Sequence, residues 1–387
     1  MNALEHLAQC IREDALLQGL QCYIVGGAVR DSLLGATVTD KDWVVVGATP
    51  QALIQRGFLP VGVDFPVFLH PHTKEEFALA RTERKQGRGY RGFVFYTGTE
   101  VRLEEDLARR DLTINAMAVG RDGHLVDPFS GQRDLEQGWL RHVGAAFVED
   151  PVRLLRLARF RARFVDFEVA EQTCAYARAL VESGEVDALV PERIWQEVSR
   201  GLGEDAPARM FEFLAQVGAL ARVCPPLHWT AEVSDWLTRG AARGLDEAQR
   251  FALLTSASAE PAAVGQAMRA PRACIDYAVH LQRLRRLLAD KQDTDETACD
   301  ERWTAAQTWQ VLQTLDALRR PERFVALLQV LSCLQAVDLD FWARASAVVK
   351  TVDAGAIARA HQGAPEDIPH AIAHARQQAL VEQMGLA

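Results

Sequence analysis

The stretch Cys22–Ala48, CYIVGGAVRDSLLGATVTDKDWVVVGA, decides the fold of the first part of the chain. A short apolar run ends at Gly26 and Gly27, and the residues that follow can form one or two helical turns. A second apolar run, at 43–46, is typical of a buried strand. A strand, a glycine turn, a short helix and another strand in this order indicate an α/β domain.

Two carboxylates, Asp40 and Asp42, stand just before the second apolar run. Residues two apart on a strand point to the same face, so these side chains are expected to lie together. Clustered carboxylates repel unless a divalent cation separates them, and Mg²⁺ prefers a few carboxylates together with substrate phosphates. Glycines such as Gly27 let backbone N–H groups approach a phosphate, and Arg30 is placed to reach it. The stretch therefore predicts phosphoryl transfer.

An Asp-x-Asp pattern alone is weak evidence, because it recurs at residues 293/295 and 338/340. Those two pairs lie in polar or helical surroundings, where a solvated surface is the better interpretation. Only the pair at Asp40 and Asp42 has a Gly-Gly turn before it and a buried strand directly after it.

The segments GGAVRDSLLG and DKDWVVVG resemble the signature of the class II CCA-adding enzymes (tRNA nucleotidyltransferases) and of the related bacterial poly(A) polymerases. The resemblance extends to about Phe164. It implies template-independent addition of C, C and A to the 3′ end of tRNA from CTP and ATP, with release of pyrophosphate. Asp40 and Asp42 would hold Mg²⁺, one ion activating the RNA 3′-hydroxyl and the other steadying the leaving pyrophosphate.

The segment LEEDLARRDLTINAMAV, residues 103–119, resembles the RRDxxxNA motif of that family. Arg110, with Gly27 and Arg30, would hold the triphosphate, and Arg109 offers a second fixed charge. Asp111 and Asn115 share one face if they are helical, where they could hydrogen-bond a ribose hydroxyl. The alternative is that Asp111 caps a helix and Asn115 satisfies backbone groups.

The segment EDPVRLLRLARFRAR, residues 149–163, predicts a helix with Asp150 as N-cap and proline at the first helical position. Arginines then recur every three or four residues, which makes one basic stripe: Arg153, Arg156, Arg159 and Arg163. An exposed helix with a satisfied cap would give the same pattern. The segment also resembles the EDxxR motif of the family, which implies selection of the incoming base.

The chemistry of that selection is direct. Cytosine and adenine both present an amino donor beside a ring-nitrogen acceptor, whereas uracil and guanine present a carbonyl and an N–H. A carboxylate that accepts and a guanidinium that donates therefore fit C and A, and Asp150 and Arg153 would supply this pair. Arg156 and Arg159, farther along the stripe, are expected to steady the base or the phosphates.

The predicted fold class is an α/β nucleotidyltransferase head, residues 1–140, followed by an all-α neck at 141–202 and a helical body and tail at 203–387 that would bind tRNA. Turn residues predict a hairpin at 126–141. The glycines at 87–92 spell a dinucleotide-binding pattern, but the β-prone FVFY that follows argues against it. Glu83 is a weak candidate for a third metal carboxylate.

The net charge of −9 argues against a general nucleic-acid coat and leaves room for a local basic groove. Seven scattered cysteines without a C-x-x-C pattern favour reduced thiols, no zinc site and a cytoplasmic location. No apolar run approaches the length of a membrane span, and nothing points to an obligate protein partner. Some longer members of the family that the chain resembles carry a phosphohydrolase domain marked by a His-Asp dipeptide. This chain has no His-Asp dipeptide, so no accompanying phosphatase or phosphodiesterase activity is expected.

Three alternatives stay open from the sequence: a bacterial poly(A) polymerase with the same head, an enzyme that adds only CC or only A, and a non-catalytic RNA-binding protein that keeps the head as a scaffold. The intact pair Asp40 and Asp42 speaks against the last one.

Overall fold

The computed structural model describes residues 4–61, 67–85, 93–289, 303–362 and 364–386. The chain divides into two compact units, Met1–Pro225 and Pro226–Ala387. The predicted fold class is confirmed, because a head built on a mixed sheet is followed by helices. The helices of the predicted neck belong to the same unit as the head. Division of the chain at residues 140 and 202 stays a prediction.

The first unit is built on a mixed seven-stranded sheet in the order β3-β4-β5-β2-β1-β8-β9. Two further pairs, β6 with β7 and β10 with β11, stand apart from it. The strands are β1 Gln21–Val25, β2 Asp42–Val46, β3 Leu59–Val61, β4 Val67–Leu69, β5 Glu76–Leu79, β6 Thr82–Lys85, β7 Phe93–Tyr96, β8 Ala118–Val119, β9 Leu125–Val126, β10 Trp139–Leu140 and β11 Glu168–Val169.

The central strands carry the two apolar runs of the deciding stretch. β1 and β2 are antiparallel, with Val25 opposite Asp42 and Ile24 opposite Trp43. Trp43 is buried and stacks on Phe77 of β5, with ring centroids 4.6 Å apart. This register fixes Asp42 next to the end of β1, where the glycine turn begins.

Helices cover the sheet and then continue as a helical layer within the same unit. They are α1 Glu5–Glu13, α2 Gly27–Leu33, α3 Pro50–Gln55, α4 Leu103–Ala108, α5 Gly131–Gln137, α6 Val152–Arg163, α7 Glu171–Glu182, α8 Pro191–Gly203, α9 Ala208–Gln216 and α10 Leu220–Val223. α6 packs against both α8 and α9 through buried residues such as Leu154 and Leu157. The arginine-rich helix α6 is thus held in place by the packing of its apolar side.

The hairpin predicted for residues 126–141 is wrong, because this segment contains the helix α5. The Asp127 carboxylate accepts hydrogen bonds from the backbone N–H groups of Gly131 and Gln132, at 2.7 and 2.9 Å, and so starts the helix. Gly138 ends it in the left-handed conformation. The turn residues were therefore helix boundaries. The glycines at 87–92 lie outside the described residues, and the strand predicted after them is β7.

The second unit is helical in its described residues. Its helices are α11 Ala231–Ala242, α12 Glu247–Leu254, α13 Pro261–Met268, α14 Arg272–Ala289, α15 Ala305–Thr314, α16 Pro321–Leu334, α17 Leu339–Lys350, α18 Ala354–Ala360 and α19 Ile368–Met384. α14 packs on α12 and α13, while α19 packs on α15 and α17. Among the described helices of the whole chain, none is long and apolar enough to cross a membrane.

Gly131, at the start of α5, permits the close packing of this helix on the turn before β8. A Cβ at Gly131 would overlap the backbone carbonyl of Thr113. We expect Gly131→Ala to lower the free energy of unfolding by about 1–3 kcal/mol, because a backbone carbonyl has little room to move. Urea denaturation measures this change. Gly203→Ala is the matched control, since an added Cβ there meets no atom within 4 Å; equal losses in the two variants would contradict the packing argument.

Candidate active site

A cavity of about 910 Å³ opens in the first unit beside the glycine turn, next to α6 and α8. Arginines dominate its lining: Arg30, Arg81, Arg109, Arg110, Arg153, Arg156, Arg159, Arg163, Arg193 and Arg200. Acidic side chains also contribute to it: Asp31, Asp40, Asp42, Glu76, Glu83, Asp111, Asp150 and Glu197. Every residue predicted for the site lines this one cavity.

Most of these arginines are already paired. Each of them except Arg200 has a carboxylate oxygen within 4.0 Å. Among the described residues, Arg200 has no such partner, and it is exposed. On the acidic side, Asp40, Asp42 and Glu76 have no arginine within this distance in the part of the chain that the structure describes. These three carboxylates therefore form no close ion pair among the described residues, although Arg110 is near enough to interact with the charge of Asp42.

Asp40 and Asp42 both line the cavity. Asp42 is the first residue of β2, whereas Asp40 precedes the strand, and both side chains are exposed. The Asp40 carboxylate accepts one hydrogen bond, from the Thr39 hydroxyl at 3.3 Å. No group of three or more His, Cys, Asp or Glu able to hold a metal occurs in the described residues. A two-carboxylate site with open positions is the donor set that suits Mg²⁺ and a bound triphosphate.

The glycine turn is held by the backbone and closed by Arg110. Gly26 has φ +68° and donates from its N–H to the Met117 carbonyl oxygen at 3.0 Å. A Cβ at Gly26 would lie 3.0 Å from Nη1 of Arg110. Nε of Arg110 is buried and has no hydrogen-bond partner among the described residues. The Arg110 guanidinium, which has one N–H without a hydrogen-bond partner among the described residues, thus lies next to the glycine turn.

Arg30 is buried in α2, and its partners fix its orientation. Its Nε and Nη2 donate to the two carboxylate oxygens of Asp31, at 2.9 and 3.1 Å, and its Nη1 donates to Oδ1 of Asn115. The rings of Phe160 and Phe164 lie 5.2 and 5.4 Å from the guanidinium carbon. Burial lowers the pKa of Arg30 from its usual value, although Asp31 opposes this shift. Arg30 therefore joins the glycine turn, the RRD segment and α6.

Asp106 organises the arginines of the RRD segment and was missed from the sequence. Its carboxylate is fully buried and lies 2.9 Å from Nη2 of Arg109 and 3.4 Å from Nη2 of Arg110. It also accepts from the backbone N–H of Arg81 at 3.3 Å. Burial alone would raise the pKa of Asp106, but Arg109 and Arg110 hold that pKa below its usual value. The spacing of three and four residues to two arginines was the signal available in the sequence.

Glu83, at the start of the β6–β7 pair, is surrounded by guanidinium groups. Its Oε1 accepts from Nη1 of Arg109 at 2.8 Å and from Nε of Arg81 at 3.0 Å. Nη2 of Arg153 lies 3.9 Å from its Oε2. Burial lowers the pKa of Arg81 to about 10. Glu83 is thus a partner of arginines in this structure, which leaves little negative charge for the metal role considered for it.

Asp111 and Asn115 contact each other, although they lie in a loop and a 3-10 turn and not on one helix. Nδ2 of Asn115 donates to Oδ1 of Asp111 at 3.0 Å. Asp111 also accepts from the Leu112 N–H at 2.8 Å and from Nε of Arg156 at 2.6 Å. Burial would raise the pKa of Asp111, but the charge of Arg156 and these hydrogen bonds hold that pKa well below its usual range.

Asp150 and Arg153, the predicted base-selecting pair, line the cavity but have separate partners. Asp150 accepts from the Val152 N–H at 3.0 Å, but α6 begins one residue later than predicted, so Pro151 and not Asp150 is its N-cap residue. Its two oxygens also accept from Nη1 and Nη2 of Arg193, at 3.2 and 3.0 Å. Arg153 donates to the backbone carbonyls of Ala146 and Arg109. Arg193 on α8 was not predicted, because its partner is 43 residues away.

The remaining arginines of the predicted stripe also meet carboxylates. Nε of Arg159 donates to Oε2 of Glu197 at 2.7 Å, and its Nη1 lies 3.4 Å from Glu204. Nη2 of Arg163 donates to Oδ2 of Asp31 at 3.0 Å. The stripe of α6 is therefore a set of ion pairs along the cavity wall and not an open band of positive charge.

Comparison with known proteins agrees with this geometry. A family model described as the Poly A polymerase head domain matches residues 22–141. The chain is 55% identical over 368 residues to a CCA-adding enzyme of Bordetella bronchiseptica, covering 95% of this chain and 98% of that protein. The chain belongs to the family of CCA-adding enzymes.

Other CCA-adding enzymes and related proteins are similar over most of their length. A multifunctional CCA protein of Leptothrix cholodnii is 50% identical over 346 residues, covering 81% of this chain and 82% of that protein. A solved CCA-adding enzyme in complex with CTP has a TM-score of 0.68 and 22% identity, covering 97% of this chain and 90% of that one. The Thermotoga maritima CCA-adding enzyme complexed with tRNA has a TM-score of 0.62, with coverage of 90% and 82%. At such identities the solved structures show a shared fold.

Asp106 provides a test of the arginine cluster. We expect Asp106→Asn to lower the free energy of unfolding by about 3 kcal/mol, because it removes the carboxylate within 4 Å of Arg110 and one of the two carboxylate partners of Arg109. Urea denaturation at neutral pH measures this. Glu104→Gln is the control, since Glu104 is exposed on the same helix, α4.

The pH dependence of the same variants checks the cause. The pKa of Asp106 is lower in the folded chain than in the unfolded one, so its contribution is fully present above about pH 4 and is lost as the pH falls. On acidification from pH 5, the free energy of unfolding should therefore fall less for Asp106→Asn than for the wild type. Parallel pH profiles for both would count against the ion-pair explanation.

Proposed function

We propose that this chain adds C, C and A to the 3′ end of tRNA from CTP and ATP, with release of pyrophosphate. The observation that carries the proposal is one cavity lined by Asp40 and Asp42, which form no ion pair within 4.0 Å among the described residues, by the glycine turn and by many arginines. The full-length similarity to CCA-adding enzymes supports it. Solved relatives described as complexes with CTP, with ATP and with tRNA have the same fold.

Asp40 and Asp42 are proposed to bind Mg²⁺. Their exposed carboxylates can each give oxygen ligands and still leave positions open for substrate phosphates. When bound, the metal ions would lower the pKa of the attacking RNA hydroxyl and stabilise charge on the leaving group. Family membership implies a divalent metal, and the choice of Mg²⁺ rests on this hard, oxygen-only donor set.

The triphosphate is proposed to bind beside the glycine turn, at Gly27, and Arg110. Arg110 lines the cavity, and its Nη1 is the atom nearest to Gly26, so its guanidinium is placed to donate to a phosphate oxygen. Arg30 contributes charge from a fixed position, because Asp31 and Asn115 already use its donors. Its proposed role is therefore to position the glycine turn and to add positive charge beside it, and not to bind a phosphate directly.

Asp150 and Arg153 are proposed to select the base. The Arg193 pair holds the Asp150 carboxylate in place, and two backbone carbonyls hold Arg153. A cytosine or adenine would share or replace some of these hydrogen bonds through its amino group and ring nitrogen. Uracil or guanine would face Asp150 with a carbonyl oxygen, which repels a carboxylate. Arg159, paired with Glu197, supports the wall of this pocket.

The helical second unit is proposed to bind tRNA, and the cytoplasm is the proposed location. The scattered cysteines and the absence of a C-x-x-C pattern fit a reducing compartment.

Nucleotide addition to a tRNA that lacks its CCA end tests the activity. With CTP alone we expect two C residues to be added, and with CTP and ATP a complete CCA end. Long A tails from ATP alone would instead identify a poly(A) polymerase. Addition of only CC, or only A to a tRNA ending in CC, would identify a partial enzyme.

Asp42 tests the metal site. We expect Asp42→Asn to lower kcat for C addition at least about a thousandfold while the free energy of unfolding stays near that of the wild type, because the side chain is exposed and forms no ion pair with described residues. A chelator should abolish wild-type activity, and added Mg²⁺ should restore it.

Asp340→Asn is the matched control for this variant. It belongs to the other described Asp-x-Asp pair, is exposed on α17, and should keep full activity. An Asp42→Asn enzyme as active as this control would refute the metal role.

A further inference from the structure

Glu75 binds the two side chains that flank Asp42 in the sequence. Its Oε1 accepts a hydrogen bond from Nζ of Lys41, and its Oε2 accepts one from Nε1 of Trp43 at 3.1 Å. The Thr73 hydroxyl also donates to Oε2, at 3.3 Å. One oxygen of this carboxylate is therefore held by neutral donors, while the other forms an ion pair with Lys41.

The turn between β4 and β5 and the pairing of β5 with β2 fix the position of Glu75. The N–H of His70 donates to the Glu75 carbonyl oxygen at 2.9 Å, and Nδ1 of His70 accepts from the N–H groups of His72 and Thr73. Glu75 is one residue before β5, which runs parallel to β2. The indole of Trp43, which holds Oε2, is buried. Glu75 thus has a set place beside the start of β2.

Lys41 is the cation closest in sequence to the proposed metal ligands, because it lies between Asp40 and Asp42. Those two residues line the cavity, whereas Lys41 and Glu75 are not part of its lining. Among the described residues, Lys41 forms an ion pair only with Glu75. Without that partner, the ammonium on its flexible four-carbon stem would be free to pair with the carboxylates on either side of it.

We propose that Glu75 is a positioning residue of the metal site: it holds the Lys41 ammonium away from Asp40 and Asp42, so that these carboxylates stay available to a divalent cation. The inference rests on the proposed function, because it assumes that this pair binds the metal. Lys41 and Glu75 are 34 residues apart along the chain, so the sequence gave no sign of the contact.

The charges explain why the effect falls on metal binding. Lys41 and Glu75 together carry no net charge, so the negative charge of Asp40 and Asp42 is left for the metal. Without the Glu75 charge, one ammonium stands uncompensated beside the two carboxylates. The side chains of Lys41 and Glu75 are 25% and 24% exposed, so water screens this charge only in part. The ammonium would then pair with the carboxylates or repel the metal, and both effects weaken the binding of a divalent cation.

Binding of Mn²⁺ to the protein without RNA or nucleotide tests the proposal, with free Mn²⁺ measured by electron paramagnetic resonance. Glu75→Gln keeps an oxygen for Trp43 and Thr73 but loses the charge that holds Lys41. We expect this variant to raise the Kd for Mn²⁺ at least about threefold. In C addition, the Mg²⁺ concentration for the half-maximal rate should rise by a similar factor, while kcat at saturating Mg²⁺ stays within about twofold of the wild-type value.

The double variant Lys41→Met/Glu75→Gln separates this charge effect from damage to the fold. It has no ammonium to hold, so its Kd for Mn²⁺ should return to within about twofold of the wild-type value. Glu5→Gln is the matched control. It also removes an ion pair of the first unit, with Arg12, but Glu5 does not line the cavity, so metal binding should not change.

Two results would overturn the proposal. One is a Kd for Mn²⁺ in Glu75→Gln equal to that of the wild type. The other is equally weak binding in Glu75→Gln and in the double variant, which would mean that Glu75 acts on the fold and not through Lys41. Failure of the proposed function looks different, because the wild type and Asp42→Asn would then bind Mn²⁺ equally well, or the wild type would not add C to tRNA.

Discussion

The pairing of α6 arginines with carboxylates of other segments is the interaction on which the site depends. Arg156 binds Asp111 of the RRD segment, and Arg163 binds Asp31 of the helix that follows the glycine turn. Arg159 binds Glu197 of α8. Each pair joins a piece of the chain that is remote in sequence, so one helix positions the walls of the whole cavity. The apolar side of α6, packed on α8 and α9, keeps this row of guanidinium groups turned inward.

Most charged side chains of the cavity form ion pairs, and the carboxylates without an arginine partner are the ones proposed to bind the metal. Asp40 and Asp42 have no arginine partner among the described residues, although many arginines line the same space. The register of β1 and β2 explains their place, because it sets Asp42 beside the end of β1. Family membership and this geometry agree on a nucleotidyltransferase head. The residues predicted to contact metal, phosphate and base all line one cavity.

The sequence was most informative where a pattern is local. The apolar runs predicted β1 and β2, and the spacing of arginines predicted one basic stripe along α6. Long-range partners were invisible, because nothing in the sequence links Asp150 to Arg193 or Arg156 to Asp111. The error at 126–141 has a local cause: Asp127 was interpreted as a turn residue, but its carboxylate caps a helix. Turn and helix-cap signals use the same residue types, so only packing separates them.

The paired arginines also bear on how fast such an enzyme can recycle. A pocket of bare guanidinium groups would retain a polyanionic product, because nothing inside the protein would compete for those cations. At the proposed triphosphate site, Asp106 lies 3.4 Å from Arg110, so a departing phosphate would leave behind an arginine whose carboxylate partner is already within reach. Release then exchanges one ionic contact for another and does not expose an unsatisfied buried charge. Internal counter-ions of this kind weaken the binding of the product and favour its release. Such release suits an enzyme that must release pyrophosphate three times for each RNA end.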